Sequence, residues 1–482
     1  MLDLRPVGYV IGLLIAALGA AMLFPMMIDY AEGTDHWAAF LEAAIISVVV
    51  GGLIALACAN GVKEHLSIQQ TFLLTTGVWV ALPVFGAIPF ITGATEAQFV
   101  DAMFEAMSGL TTTGSTVFTG LEDLPKGLLF WRGLLQWFGG IGIIVVAMVF
   151  LPELRVGGMQ IFRSEGFDTF GKILPRATEI ASRISVVYFG LTIACAFTYL
   201  GFGMTPFDAT THAMTTVATG GFSNYDNSFA NFGAGVEYTA VVFMLLAALP
   251  FVRYVQLLAG SASPLYRDSQ IRAFFVTVSV VVLAMALWQW TSHVGSAEIS
   301  FRKSLFNVVS ILTGTGYSSD DYTSWGGFPV ALFFFIGLVG GCAGSTSCSI
   351  KVFRYQLLFS SIKAQIGRIH SPHGLFSPRY GGRAVSEDVL SSVMAFFVLF
   401  FVSLGVISIL LALTGLDFVT SISGASAALA NIGPGLGPII GPTGNFGSLG
   451  DTAKWILIAA MLIGRLELMA VYVLFTLKFW RG

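Results

Sequence analysis

Long apolar runs alternate with short polar segments along the chain. A helix needs about 20 mostly apolar residues to cross a bilayer. Ten runs meet this requirement and predict spanning helices at residues 7–28, 38–60, 70–92, 128–151, 182–202, 236–260, 272–292, 328–354, 388–413 and 454–479. The first two predicted helices stand alone, and the other eight form four consecutive pairs.

A shorter and more polar segment lies between the two members of each pair. The four segments cover residues 99–112, 206–219, 301–314 and 418–431. Any one of them could be an extracellular loop, but four at matching positions favour re-entrant half-helices. Irregular backbone at membrane depth persists only where protein buries it or water reaches it. We therefore predict four half-helices, each followed by a loop within the membrane.

The ends of these four segments resemble one another in sequence. Residues 104–114, 211–221, 306–316 and 425–435 can be aligned without gaps, and each stretch ends in a glycine. The equivalent glycines predicted by this alignment are Gly114, Gly221, Gly316 and Gly435. Four such units would allow four similar loops to meet on one axis.

These repeats predict the fold class and the domain organisation. We expect an all-α polytopic membrane protein with four pseudo-repeated helix–pore-loop–helix units around a central pore. Two N-terminal transmembrane helices precede the repeats and occupy residues 1–68. The four predicted repeats occupy residues 69–160, 161–262, 263–386 and 387–482.

Composition agrees with a membrane protein. Of the 482 residues, 55% are hydrophobic and 11% are charged, whereas an ordinary soluble chain carries about 25% charged residues. The four cysteines lack metal-ligand spacing, so we expect free thiols. The first apolar run exceeds the usual signal-peptide core of about 7–15 residues, which favours a retained first helix.

The distribution of lysine and arginine predicts the orientation. One side of the predicted membrane carries Arg5, Lys63, Arg155, Arg163, Lys172, Arg176, Arg183, Arg253, Arg267, Arg272, Lys351, Arg354, Lys363, Arg368, Arg379, Arg383, Lys478 and Arg481. The other side carries Lys126, Arg132, Arg302, Lys303 and Lys454. We therefore expect both termini in the cytoplasm and the half-helices to enter from outside.

The four loops carry the chemistry expected of a cation filter. A dehydrated alkali cation must exchange its water shell for oxygens of similar number and geometry, and backbone carbonyls can supply them. Inward-pointing peptides require unusual backbone angles, which glycine adopts at little steric cost. The candidate filter residues are Thr111, Thr112, Thr113, Gly114, Ala218, Thr219, Gly220, Gly221, Thr313, Gly314, Thr315, Gly316, Ile432, Gly433, Pro434 and Gly435.

With these features the sequence resembles the Trk/Ktr/HKT superfamily of potassium transporters over nearly its whole length. The resemblance rests on the four repeats, the one glycine per loop and the two extra N-terminal helices. It implies potassium uptake across the bacterial inner membrane, with potassium bound in the filter and rubidium also accepted. In the gap-free alignment Pro434 takes the place of Thr113, Gly220 and Thr315, so we expect an asymmetric filter, because proline lacks an N–H group.

The resemblance also implies partners. It predicts a homodimer with one pore per subunit and a cytosolic nucleotide-binding regulatory subunit of the TrkA type. The polar, basic stretches 152–182 and 350–386 are candidate docking segments for that subunit. We expect surrounding membrane lipid, no organic cofactor and no nucleic-acid partner.

A run of small residues interrupts the inner helix of the third repeat. Residues 340–349 contain only Gly, Ala, Ser, Thr and Cys, which make a poor helix. Close helix packing through small residues is the alternative explanation. The resemblance supports an intramembrane gating loop here. The candidate gate residues are Gly340, Gly341, Gly344, Ser345, Thr346, Ser347 and Arg465.

Arg465 lies within the last apolar run, where a charge is costly unless it is paired or hydrated. We expect Arg465 to face the pore below the filter and to bond the loop 340–349, as an electrostatic barrier to cations. A structural pair with Glu467 is the alternative.

Two other classes of function compete with this interpretation. A proton-coupled potassium symporter would use a carboxylate within the membrane, and Glu42, Glu105 and Glu467 are the candidates. An intramembrane enzyme would need a nucleophile beside a base. The histidines lie mostly in predicted loops, and His212 has no obvious serine partner, so the sequence does not favour an enzyme.

Overall fold

Most of the chain forms apolar helices. The computed structural model describes residues 3–61, 66–150, 154, 157–162, 177–292 and 296–481. In these ranges seven helical segments are long and apolar enough to cross a membrane: Arg5–Glu32, Trp37–Gly61, Ile68–Thr92, Lys126–Met148, Ala181–Gly201, Ser269–Ser292 and Glu387–Ala412. The predicted class of an all-α polytopic membrane protein is confirmed.

Four shorter helices occupy the predicted half-helix positions. In chain order, the first to fourth half-helices are Phe99–Leu110, Pro206–Val217, Ala297–Thr313 and Phe418–Ala430. The last three begin at side-chain caps, because Thr205, Ser296 and Asp417 accept hydrogen bonds from backbone N–H groups of the first turn. All four half-helices bury most of their length, including their C-terminal turns.

Within the described ranges, none of the remaining helices meets the length and hydropathy requirements of a membrane span by itself. The other helices are Ala234–Ala247, Phe251–Leu258, Ser263–Arg267, Gly327–Gly337, Val352–His370, Asp451–Arg465, Met469–Tyr472 and Leu477–Arg481. Two antiparallel strands, Arg379–Tyr380 and Arg383–Ala384, form a hairpin that follows the Val352–His370 helix.

Two inner helices that the sequence predicts as continuous are bent. Helix Ala234–Ala247 meets Phe251–Leu258 at 88°, and Pro250, which has no N–H to donate, lies at the bend. Helix Asp451–Arg465 meets Met469–Phe475 at 107°. The uninterrupted spans predicted at 236–260 and 454–479 are therefore wrong, because hydropathy measures burial in lipid and does not report where a helix breaks.

The inner helix of the third repeat is also short. It ends at Gly337, and helix resumes at Val352. The predicted interruption at 340–349 lies within this irregular segment. Lys63, Arg155, Arg163, Lys172, Arg176 and His65, together with most of the predicted docking stretch 152–182, lie outside the described residues.

Candidate ion filter and the buried loop beneath it

The same backbone turn ends all four half-helices. A left-handed residue follows the last helical turn, with positive φ at Thr112 (50°), Thr219 (49°), Gly314 (74°) and Asn431 (52°). Two residues further on, φ is positive again at Gly114 (85°), Gly221 (83°), Gly316 (84°) and Gly433 (101°). We call these twelve residues, 112–114, 219–221, 314–316 and 431–433, the loop ring.

The central residue of each turn makes the same hydrogen bond. Its N–H donates to the carbonyl five residues earlier, in the pairs Thr113–Ser108 (2.8 Å), Gly220–Thr215 (2.8 Å), Thr315–Ser310 (2.8 Å) and Ile432–Ala427 (3.0 Å). This bond satisfies a carbonyl that the end of a helix would leave free. These four equivalent bonds fix the correspondence between the repeats.

This correspondence corrects the fourth repeat. Gly433, and not the predicted Gly435, is equivalent to Gly114. Gly435 has an ordinary φ and faces the side chain of Ile440 and the hydroxyl of Ser423. Pro434 follows the ring glycine, so the prediction that it replaces Thr113 is also wrong; Ile432 takes that place. The gap-free alignment matched Gly435, whereas the left-handed residue of the fourth loop, Asn431, stands two residues before Gly433.

The four loops close into a ring in chain order. A Cβ atom on Gly114 would overlap the carbonyl oxygen of Gly220, and its counterparts on the other ring glycines meet the next loop in the same way. The pairs are Gly114 with Gly220, Gly221 with Thr315, Gly316 with Ile432 and Gly433 with Thr113. Each glycine therefore lies against the equivalent carbonyl of its neighbour.

Side chains brace the ring where the fourth loop meets the first. The hydroxyl of Ser115 donates to the carbonyl of Gly433 at 2.7 Å. The Asn431 side chain donates to Oγ1 of Thr113 and to the carbonyl of Met461, both at 2.9 Å. Thr111 and Thr313 lie at the helix ends and bond the ring threonine two residues later. Ala218 is the helix cap at the matching position of the second loop.

A buried ion pair supports the first and second loops from behind. Nε of Arg132 lies 2.8 Å from Oε1 of Glu105. Arg132 also donates to the carbonyl of Ser223 at 2.8 Å, and Glu105 accepts from Thr116 and from the backbone N–H of Val117. The sequence places Arg132 on the outer side, but a charge within a predicted span was the signal for this buried role.

A cavity of ≈180 Å³ opens on one face of the loop ring, the face predicted to be extracellular, and is lined by all four ring glycines and Asp226. The basic residues predicted on the outer side are paired with carboxylates in Lys126–Glu32, Arg132–Glu105, Arg302–Glu237, Lys303–Glu237 and Lys454–Asp101. Pairing reduces the repulsion that an approaching cation would meet.

Tyr225 also lines this cavity. Its partial burial, and secondarily the Asp208 carboxylate, raises the pKa of the Tyr225 hydroxyl.

The irregular segment of the third repeat lies on the other side of the ring. Asn431 of the ring and Ser345, Ser347 and Cys348 line one small shared cavity, together with Arg465. Arg465 donates to Sγ of Cys348 and to the carbonyl of Gly139, the latter at 3.2 Å. The expected bond between Arg465 and residues 340–349 is thus present in the structure.

Backbone groups freed by the bend in the second repeat hold this segment in place. The N–H of Cys342 donates to the carbonyl of Ala248 at 3.0 Å, and the hydroxyl of Thr346 donates to the carbonyl of Ala247 at 3.1 Å. In return the N–H of Phe251 donates to the carbonyl of Gly344 at 2.9 Å. The helix break and the irregular segment therefore supply hydrogen-bond partners to each other's backbone groups.

The small cavity below the ring is lined by more charged side chains than the sequence predicts. Lys351 and Arg354 are buried rather than on the cytoplasmic surface. Lys351 donates to the carbonyl of Ser347, and Arg354 pairs with Glu467. Glu467 is therefore not the partner of Arg465, which excludes the alternative structural pair in this arrangement.

No group of three or more His, Cys, Asp or Glu side chains that could hold a metal ion occurs within the described ranges. The arrangement combines spanning helices, re-entrant half-helices and a ring of backbone carbonyls between two cavities. These features define a helical membrane transporter.

Comparison with known proteins gives the family. The model of the TrkH family, described as cation transport protein, matches residues 36–481, and the chain belongs to this family. It is 41% identical to the Trk system potassium uptake protein TrkI of Halomonas elongata over 99% of this chain and 97% of that protein. It is 36% identical to the Trk system potassium uptake protein TrkH of Escherichia coli K12 over 99% of both.

The fold comparison agrees. The crystal structure of the potassium transporter TrkH from Vibrio parahaemolyticus superposes with a TM-score of 0.92 at 33% identity and covers 100% of both chains. The resemblance to the Trk superfamily is confirmed, and so is the prediction that the chain is a transporter and not an enzyme.

Proposed function

We propose that the chain carries potassium ions across the bacterial inner membrane through the loop ring. The observation that carries this proposal is the closed contact of four equivalent loops, each pairing a glycine with its neighbour's carbonyl. The relatives named as potassium uptake proteins over their full length support potassium as the transported ion.

The ring geometry suits a dehydrated cation. Positive φ at alternate residues turns successive carbonyls towards one side of each loop, and four such loops supply oxygens on several levels. The C-terminal, partly negative ends of all four half-helices point at the ring and favour a cation there. Rubidium is close to potassium in size, so we expect it to be accepted.

In this proposal the gate is formed by Arg465 and the irregular segment of the third repeat. Arg465 holds a positive charge below the ring, where a permeating cation would be repelled, and its bond to Cys348 couples the charge to the loop. Opening would require the segment around Gly340, Gly341 and Gly344 to leave the bend at Ala247 and Ala248. Glycine makes such a rearrangement sterically inexpensive.

A homodimer and a cytosolic regulatory subunit of the TrkA type complete the proposal. The helix Val352–His370 supports both, because it exposes the apolar side chains of Ile362, Ile366 and Ile369 and lies on the proposed cytoplasmic side. Lys363 and Arg368 are exposed basic residues on the same helix. We place both termini in the cytoplasm.

Flux from liposomes tests the proposal. Purified protein is reconstituted under separate potassium, rubidium and sodium gradients, with protein-free liposomes as the control. We expect potassium and rubidium flux to exceed sodium flux. Equal potassium and sodium flux would contradict a selective carbonyl ring.

A further inference from the structure

The second loop has no side chain at the central position of the turn. Loops one and three carry Thr113 and Thr315 there and loop four carries Ile432, whereas loop two carries Gly220. Gly220 has an ordinary φ, so its backbone does not require glycine. The three atoms nearest to a Cβ built on Gly220 all belong to the carboxamide of Gln136. Gln136 is therefore what excludes a side chain at this position.

Gln136 fills that space and bonds the loop on both sides of the ring glycine. It is fully buried on the helix Lys126–Val145. Its Nε2 donates to the carbonyl of Gly220 at 2.5 Å, and its Oε1 accepts from the N–H of Phe222 at 3.1 Å. One partner is a carbonyl that accepts and the other an N–H that donates, so only one orientation of the Gln136 amide satisfies both bonds.

The fourth loop shows the reverse exchange of size. Its central residue is the large Ile432, and the inner helix facing it has glycine: a Cβ on Gly337 would lie 3.2 Å from Cδ1 of Ile432. The volume behind the ring is thus filled from the loop in one repeat and from the helix in another. Of these two space-filling side chains, Gln136 also bonds a ring carbonyl, whereas the apolar Ile432 side chain has no donor.

We propose that Gln136 is a positioning residue for ion selectivity, which sets the radial position of the Gly220 carbonyl in the ring. This inference rests on the proposed potassium transport. The amide holds Gly221 between two bonds, so the second loop cannot move inwards to fit a smaller cation. The donated bond also withdraws electron density from the Gly220 oxygen, which weakens its pull on a small, strongly hydrated ion such as sodium.

The test is a set of volume-matched variants assayed for potassium and sodium flux in liposomes. Gln136→Met keeps most of the volume but removes both hydrogen bonds, and we expect the potassium/sodium flux ratio to fall by about tenfold. Gly220→Thr alone should also lower the ratio, because its side chain overlaps Gln136. The double variant Gln136→Ala with Gly220→Thr relieves this overlap, so its ratio should exceed that of Gly220→Thr alone but stay below the original ratio, because both hydrogen bonds are absent.

Gln289→Met, at a buried glutamine of the Ser269–Ser292 helix, is the matched control and should keep the original ratio. An unchanged ratio in Gln136→Met, or a double variant no better than Gly220→Thr alone, would overturn the inference. Failure of the proposed function is distinguishable, because the unmodified protein would then show no potassium preference.

Discussion

Nε of Arg132 lies 2.8 Å from Oε1 of Glu105, and both side chains are almost fully buried. Glu105 belongs to the first half-helix and Arg132 to the inner helix that follows, so the pair joins two elements of one repeat. Through Thr116 and Ser223 the same pair holds the backbone that follows the ring in the first two loops.

Removing one partner of this pair should destabilise the protein strongly. Glu105→Ala leaves Arg132 buried without its counter-charge, which typically costs about 3–5 kcal/mol. Lys126→Ala breaks the exposed Lys126–Glu32 pair and should cost about 0–1 kcal/mol. Chemical unfolding of both variants in detergent gives the comparison, and similar small losses would show that the buried pair is not a structural brace.

Gly433 and Gly435 should respond differently to the same substitution. Alanine at Gly433 places a Cβ 2.9 Å from the Thr113 carbonyl and keeps a φ of 101°, which L residues adopt at a cost of about 1–2 kcal/mol. We expect Gly433→Ala to lower the potassium/sodium flux ratio by about tenfold. At Gly435 the three atoms nearest to an added Cβ are Cδ1 and Cγ1 of Ile440 and Oγ of Ser423, which are side-chain atoms that can move, so Gly435→Ala should preserve the ratio. If Gly435→Ala lowered the flux ratio and Gly433→Ala preserved it, Gly435 would be the ring glycine, as the gap-free alignment predicts.

Arg465 should limit flux through its charge. Arg465→Ala removes the positive charge below the ring and should raise potassium flux in the absence of any regulatory subunit; every 1.4 kcal/mol taken from the barrier increases the rate about tenfold. Arg465→Lys retains the charge and should stay close to the unmodified protein. Equal potassium flux in the unmodified protein and both variants would show that Arg465 is not part of the gate.

Proton coupling should be absent. Of the three candidate carboxylates, Glu105 pairs with Arg132 and Glu467 pairs with Arg354, while Glu42 is exposed on an N-terminal helix. The reversal potential for potassium should therefore stay at the potassium equilibrium value when a pH gradient is imposed on the liposomes. A reversal potential that shifts with the pH gradient would favour the symporter.

The sequence was sufficient for the elements that hydrophobic length defines. The half-helices were predicted to within four residues at their starts, because each is a short, more polar segment between two long apolar ones. The register of the first three loops was also predictable, since the gap-free alignment makes Gly114, Gly221 and Gly316 equivalent, as the structure does. In the fourth loop Asn431 was the overlooked signal, because asparagine tolerates the left-handed conformation better than most residues.

Apart from the bond between Arg465 and residues 340–349, the long-range partners were not predictable. Nothing local in the sequence connects Gln136 with Gly220 or Arg354 with Glu467, because these pairs depend on how the repeats pack. The bend after Arg465 depends on Glu467 and Leu468, both with positive φ, which an apolar run does not reveal. Charged residues inside predicted spans were visible, and they proved to mark the buried network around the ring.

Anomalous diffraction from crystals grown in rubidium tests the central claim most directly. We predict density on the axis of the loop ring, enclosed by the carbonyls of Thr113, Gly220, Thr315 and Ile432. Rubidium density elsewhere, with none inside the ring, would contradict the account.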